Sequence, residues 1–235
     1  MLLNMLRSGN VDILSVIVYI ISSLMVIFLV MPLHEWAHGI VANKLGDRTA
    51  KFQGRLTLNP LAHIDYMGAA MILLIGFGWA KPVPVDPRNF KKPKRDMALT
   101  ALAGPVANLL AAIAAGLVSN GILTIWIKTH PDLYYIQASN PIYYVLLFFE
   151  FLIMINVSLA VFNFIPIPPL DGSKILMAFL PDKWIRQIEQ YQMYITIGFL
   201  VIVMSGALGG ILSPVQRTLY NGINWLTTLP FSWAW

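Results

Sequence analysis

The stretch "MPLHEWAHGI", residues 31–40, follows directly on "VDILSVIVYIISSLMVIFLV", residues 11–30, whose one charged side chain is Asp12. As helix, at about 1.5 Å per residue, the second stretch is long enough to cross about 30 Å of hydrocarbon. Ionisable groups at that depth are costly, and a chain that keeps them there keeps them for a function. The pattern predicts one helix running on to about Asn43, stopped by "NKLGD" with Lys44 in the last turn and Gly46 behind it. On that helix His34 and His38 lie four apart on one face and can share an ion. Glu35 sits on the flank, in reach of a metal-bound water. Zinc takes imidazole nitrogens and lowers the pKa of its water to about 7. Glu35 would take that water's proton and deliver it to a leaving amine. The spacing predicts one zinc per chain and hydrolytic chemistry.

Composition agrees with a membrane setting. Of 235 residues, 57% are hydrophobic and 11% charged, against about 25% charged in a soluble domain. No linker, repeat or low-complexity tract divides the chain, so 1–235 reads as a single integral-membrane domain. The lack of cysteine excludes disulfides, thiolate metal sites and cysteine nucleophiles. The net charge of +5 reads as topology information rather than a nucleic-acid footprint. Arg7 followed by an apolar run too long for a signal-peptide core reads as a retained membrane helix.

Four segments are long and apolar enough to span, about 11–33, 98–119, 141–163 and 191–212. A fifth, "YMGAAMILLIGFGW" (66–79), is about 21 Å long as helix and suits a re-entrant segment. The loops at 43–55 and 81–96 carry ten Lys and Arg between them and both belong on the cytoplasmic side. They can share a side only if 66–79 enters and leaves by one face. Lys128 and Asp132 offset each other in an external loop at 120–140, and 164–190 returns to the cytoplasm with Lys174, Lys183 and Arg186. The tail, with Tyr220, Trp225, Trp233 and Trp235, suits an aromatic belt. In "KFQGRLTLNPLAHID" (51–65) Phe52, Leu56 and Leu58 alternate with polar residues before Asn59-Pro60, which predicts a short strand or hairpin. The expected fold is therefore an all-α polytopic membrane protein. It has about four full transmembrane helices, a short re-entrant segment and a small cytoplasmic-side β-hairpin, with HEWAH toward the cytoplasmic end of its helix.

A catalytic zinc needs a third protein ligand and an open position. His130 is in the external loop. Glu150 is about 20 Å from the cytoplasmic end of its span. Glu189 is adequately explained as a solvated charge, and His63 and Asp65 lie near the predicted strand. Asp171 remains, in "FNFIPIPPLDGSKIL" (162–176), where Pro166, Pro168 and Pro169 enforce extended backbone. Such backbone at membrane depth is tolerated where it lines a cavity. Asp171 could equally cap a turn, but a metal site one ligand short on the same side favours the ligand.

At this point the chain resembles the site-2 protease family of intramembrane zinc metalloproteases, over nearly its whole length. His34-Glu35-Trp36-Ala37-His38 matches the family's HExxH, and "NFIPIPPLDG" (163–172) its second motif, which carries the third ligand. "GRLTLNPLAHID", "GWAKPVPVDPRNF" and "ALAGPVANLL" look like a compact branch without PDZ or CBS modules. The resemblance implies Asp171 as ligand, Glu35 as base, and cleavage of membrane-embedded protein substrates; with the charge pattern, it gives a multi-pass cell-membrane enzyme whose active site lies toward the cytoplasm. Asn163 and Asn108 are candidate amide donors to the developing oxyanion, although an Asn in a membrane helix also serves as a packing hydrogen-bond partner. Main-chain pairing of an unwound substrate with the strand near 52–58, and helices parting at Gly104 and Gly116, are the expected means of access. Rival readings are a zincin whose third ligand is a glutamate, here Glu189, or a non-enzymatic metal transporter or binder.

Overall fold

The computed structural model describes residues 12–75, 78–130 and 136–234. Asp12 starts the first helix by accepting the Leu14 and Ser15 N–H groups. Helix α1 (Ile13–Met25) passes through a π-helical turn (Val26–Val30) into α2 (Met31–Leu45), which ends at Gly46 in the left-handed region (φ 118°). Together these form one 33-residue helical rod, long and apolar enough to cross a membrane. Its surface is inverted relative to a soluble helix. Leu14, Ile17, Ile21, Leu24 and Phe28 make an exposed stripe at helical spacing, while Tyr19, Ser22 and Ser23 are buried. Such a stripe is stable where lipid covers it.

Two further helices pass the same test: α5 (Pro93–Thr129) and α6 (Pro141–Asn163). Helix α6 is central, with Phe151, Leu152, Ile153, Ile155, Val157 and Leu159 all buried. The fourth expected span is interrupted. Helices α9 (Gln192–Met204) and α10 (Ala207–Thr228) meet at Gly206 (φ 76°) with an 80° bend, so the described residues contain three helices long and apolar enough to span, or four if the bent pair counts as one. Gly116 is a packing site for α10 rather than a place of parting, because a Cβ there would lie 2.9 Å from Thr227 Cγ2. Two shorter helices, α7 (Asp171–Met177) and α8 (Asp182–Gln190), lie between α6 and α9.

The segment at 66–79 turns back on itself. Helix α4 (Tyr66–Ile75) runs in, and by Trp79 the chain again lies beside Gly68, where any Cβ would strike the Trp79 carbonyl. The Lys81 N–H then donates to the His63 carbonyl at 2.8 Å, so the segment enters and leaves at one end of the bundle. Residues 76 and 77, and Trp235 of the expected belt, are outside the described residues.

The predicted β-hairpin is absent: the described residues contain no strand, and 51–65 is built from helical turns instead. The short helix α3 (Thr49–Phe52) starts where Asp47 accepts the Thr49 N–H, Gly54 (φ 66°) reverses the chain, and Arg55 N–H closes on the Ala50 carbonyl. Asn59 then caps a 3₁₀ turn, Pro60–Ala62. Asp and Asn side chains that bond nearby N–H groups offer the backbone an alternative to a ladder, and here they win. The alternation that suggested a strand does not mark a buried face, since Phe52 is 79% exposed.

Candidate metal centre

Helix α2 presents different residues to two sides. On one, His34 and His38 face α5 and the start of α7. On the other, Glu35 and Gly39 face the extended segment 78–86. All three HExxH side chains are buried, at 7–8% exposure.

Each imidazole is aimed by a contact on its far nitrogen. His34 Nδ1 lies 2.6 Å from Asn108 Oδ1, and His38 Nδ1 lies 2.7 Å from the Thr100 carbonyl, both on α5. Both partners are acceptors, so each ring carries its proton on Nδ1 and turns the Nε2 lone pair inward. The two Nε2 atoms are 3.1 Å apart, and Asp171 Oδ2 lies 3.3 and 3.2 Å from them. Three acceptors thus converge on one point. Asp171 Oδ2 is buried with no hydrogen-bond partner. Tetrahedral zinc, with ligands at about 2.0–2.2 Å, spaces its donor atoms by about 3.3 Å. The triangle fits that ion.

Two glycines allow the convergence. A Cβ on Gly104 of α5 would collide with the Nε2 atoms of both histidines. A Cβ on Gly172 would lie 2.5 Å from the Ile165 carbonyl, so only glycine lets α7 start tight against the turn after α6. Asp171 caps nothing: the N-cap of α7 is Leu170, and no side chain caps the N–H groups of its first turn. Glu35 also offers a carboxylate oxygen within 4.8 Å of the histidine donors. Its Oε2, however, accepts the Val83 N–H at 2.8 Å, whereas the Asp171 oxygen is free and equidistant from both rings. The geometry therefore favours Asp171 as the third donor and leaves Glu35 beside the site.

The group opens into a cavity of about 450 Å³, bordered by segment 79–85, by Asn163 and by Thr196, Phe199 and Leu200 of α9. Asn163 spends one amide hydrogen on the Leu159 carbonyl of its own helix. Asn108 contacts His34 through its Oδ1, a tie the sequence reading did not expect. Glu189 is exposed on α8 and borders no part of the cavity. His63 is buried away from the metal-facing group, with Nε2 on the Thr57 carbonyl. The sequence reading missed the Thr100 carbonyl, the Val83 N–H and the need for Gly104. Backbone groups leave no residue-type signal, and Gly104 was read as a place for helices to part rather than as room for the two imidazoles.

Residues 21–205 match the description Peptidase family M50, and the chain belongs to that family. It is a metalloprotease by class. Among curated proteins it is similar to "Putative zinc metalloprotease YwhC" of Bacillus subtilis, 39% identical over 82% of this chain and 83% of that one. It is also similar to "Putative zinc metalloprotease Rip2" of Mycolicibacterium smegmatis, 30% identical over 73% of this chain and 61% of the relative. Rip2 of Mycobacterium tuberculosis is 27% identical over 76% and 64%. The comparison with solved structures returns no match.

Proposed function

We propose that the chain is an intramembrane zinc endopeptidase that hydrolyses peptide bonds within or near transmembrane segments of other proteins. One observation carries the reading: two imidazole Nε2 atoms and an orphaned carboxylate oxygen, 3.1–3.3 Å apart, sit in a buried cavity beside a second carboxylate. His34, His38 and Asp171 would hold one zinc, leaving the open position a catalytic site needs. A zinc ion there supplies a Lewis acid that polarises the scissile carbonyl and acidifies the attacking water. Glu35, held next to the donors but outside their triangle, accepts the water's proton and passes it to the leaving amine. Asn108 and the Thr100 carbonyl keep both rings in the tautomer that binds metal. Asn163, at the cavity wall, has an amide hydrogen left for the substrate carbonyl.

Substrate class follows from position. The two histidines lie on a rod whose outer stripe suits lipid, and Asp171 is brought to them from α7, which supports a substrate chain held in the same membrane. A helical substrate must unwind locally, since its carbonyls are otherwise hydrogen-bonded. The basic loops at 43–55 and 81–96 support a site toward the cytoplasmic side. Glu35→Gln tests the reading. In proteoliposomes with a transmembrane peptide substrate it should cut turnover by about 10²–10⁴-fold, the usual worth of a positioned base, while zinc content stays near that of the wild type. Equal turnover in both proteins would remove Glu35 from the chemistry.

A further inference from the structure

The Glu35 carboxylate and the Arg55 guanidinium grip opposite edges of one peptide group. Glu35 Oε2 accepts the Val83 N–H at 2.8 Å, and Arg55 Nη2 donates to the Pro82 carbonyl at 3.1 Å. That carbonyl and that N–H belong to the same peptide unit, and no cis bond occurs at Pro82–Val83. In a planar trans peptide they point in opposite directions. We infer that Arg55 is a positioning residue for Glu35 and acts through the Pro82–Val83 peptide. The inference rests on the proteolytic reading only for what Glu35 does once positioned.

Several features make this link specific. Arg55 Nη2 also donates to the Lys81 carbonyl at 2.9 Å, so one nitrogen holds two successive carbonyls. Pro82 and Pro84 have no N–H, which leaves Val83 as the single donor of the tripeptide. A cation at the carbonyl and an anion at the N–H polarise the peptide in the same sense, and hydrogen bonds in such a chain strengthen one another. Arg55 is itself anchored, its N–H on the Ala50 carbonyl at 2.8 Å. Its neighbour Leu56 sits against Gly39, where a Cβ would lie 2.9 Å from Leu56 Cδ1 and 3.4 Å from Val83 Cγ1. Gly39 is one helical turn beyond Glu35, so the face of α2 that carries the base also receives the loop and the segment that aim it. The neighbouring ties are different in kind. The Lys81 N–H goes to the His63 carbonyl and the Asp86 N–H to Asp47, and neither touches the peptide that Glu35 holds.

The Val83 amide reports the link without turnover. Hydrogen exchange on the full-length protein in micelles, read at Val83 between its two prolines, should be slow in the wild type. It should be faster by about tenfold or more in Arg55→Ala and intermediate in Arg55→Lys, whose ammonium can hold one carbonyl. Zinc content should be unchanged in both. On a transmembrane peptide substrate, kcat of Arg55→Ala should fall by about tenfold at constant KM, with Arg55→Lys restoring most of it. Wild-type exchange rates at Val83 in both variants, or a change in KM alone, would overturn the inference. Should Arg55→Ala fail to fold, Arg55→Lys decides by the same exchange. A wild type that binds zinc and cleaves nothing, yet whose Val83 amide loosens in Arg55→Ala, would refute the proteolytic reading and leave the link standing.

Discussion

The two flanks of helix α2 are made from different materials. The histidine flank faces helices: α5 supplies Asn108, the Thr100 carbonyl and Gly104, and α7 brings Asp171. The Glu35 flank faces irregular backbone, segment 78–86, held by side chain–backbone bonds from Glu35, Arg55 and Asp47. A metal needs donor atoms fixed to tenths of an ångström, and packed helices give that precision. A substrate chain needs room beside the base, and a tied but non-helical segment leaves it. Packed helices carry the converging donor atoms, and irregular backbone borders the cavity.

The sharpest way to break this contrast is on the histidine flank, at its long-range partner. Asp171→Asn preserves shape and charges no helix cap, yet removes the anionic donor. It should abolish proteolysis and weaken zinc binding with the fold intact, measured by metal analysis and cleavage of a membrane peptide. Glu189→Gln should leave both unchanged, and the reverse pattern would hand the site to a glutamate-ligand architecture. Next in size is Gly104→Ala, whose new methyl group meets both Nε2 atoms. Zinc affinity should drop by about 10–100-fold, as for other disturbances behind metal ligands, and isothermal titration would read it.

On the other flank the effects should be on stability and pH. Asp47 accepts the Thr49 N–H, the Asp86 N–H and the Asn89 amide. Burial works against its charged form, but the hydrogen bonds from Thr49, Asn89 and Asp86 prevail and hold its pKa below the usual carboxylate value. A folded-state pKa below the unfolded one adds stability above the unfolded value, near 3.9, and that stability is lost as pH falls through the folded value. Asp47→Asn should therefore cost about 1–3 kcal/mol near neutrality and flatten the wild type's loss of stability below about pH 4. A thermal-melt series against pH checks both. The smallest effect is on topology reporters. Lys91→Cys should react only with reagent on the cytoplasmic side and Ser139→Cys only from outside, both with activity unchanged. Labelling of both from one face would break the shared side assigned to the two basic loops.

Much of the histidine flank was legible in the sequence. HExxH spacing on a helix fixes the relative placement of His34, Glu35 and His38 by local geometry alone. Apolar length predicted three of the spans but not the bend that breaks the fourth, and "YMGAAMILLIGFGW" was too short to be one of them, as its return to Gly68 bears out. The Glu35 flank was misread because an alternating run near 52–58 looks the same whether it pairs in a sheet or is tied down by Asp47 and Asn59. The contact of Asn108 Oδ1 with His34 was not legible, because residue type does not say which atom of an amide faces a neighbour.

By itself the sequence determined the helical rod with its pair of histidines on one face, the membrane as solvent and a carboxylate after a proline run. These follow from periodicity, residue type and chain stiffness, which act over a few residues. Only the tertiary structure decided that Asp171 meets two histidines more than a hundred positions away in the chain, that Gly104 leaves space for them, and that one peptide joins Arg55 to Glu35. Those contacts depend on how close two backbones approach, and that distance is set by the packing of whole helices rather than by any local stretch.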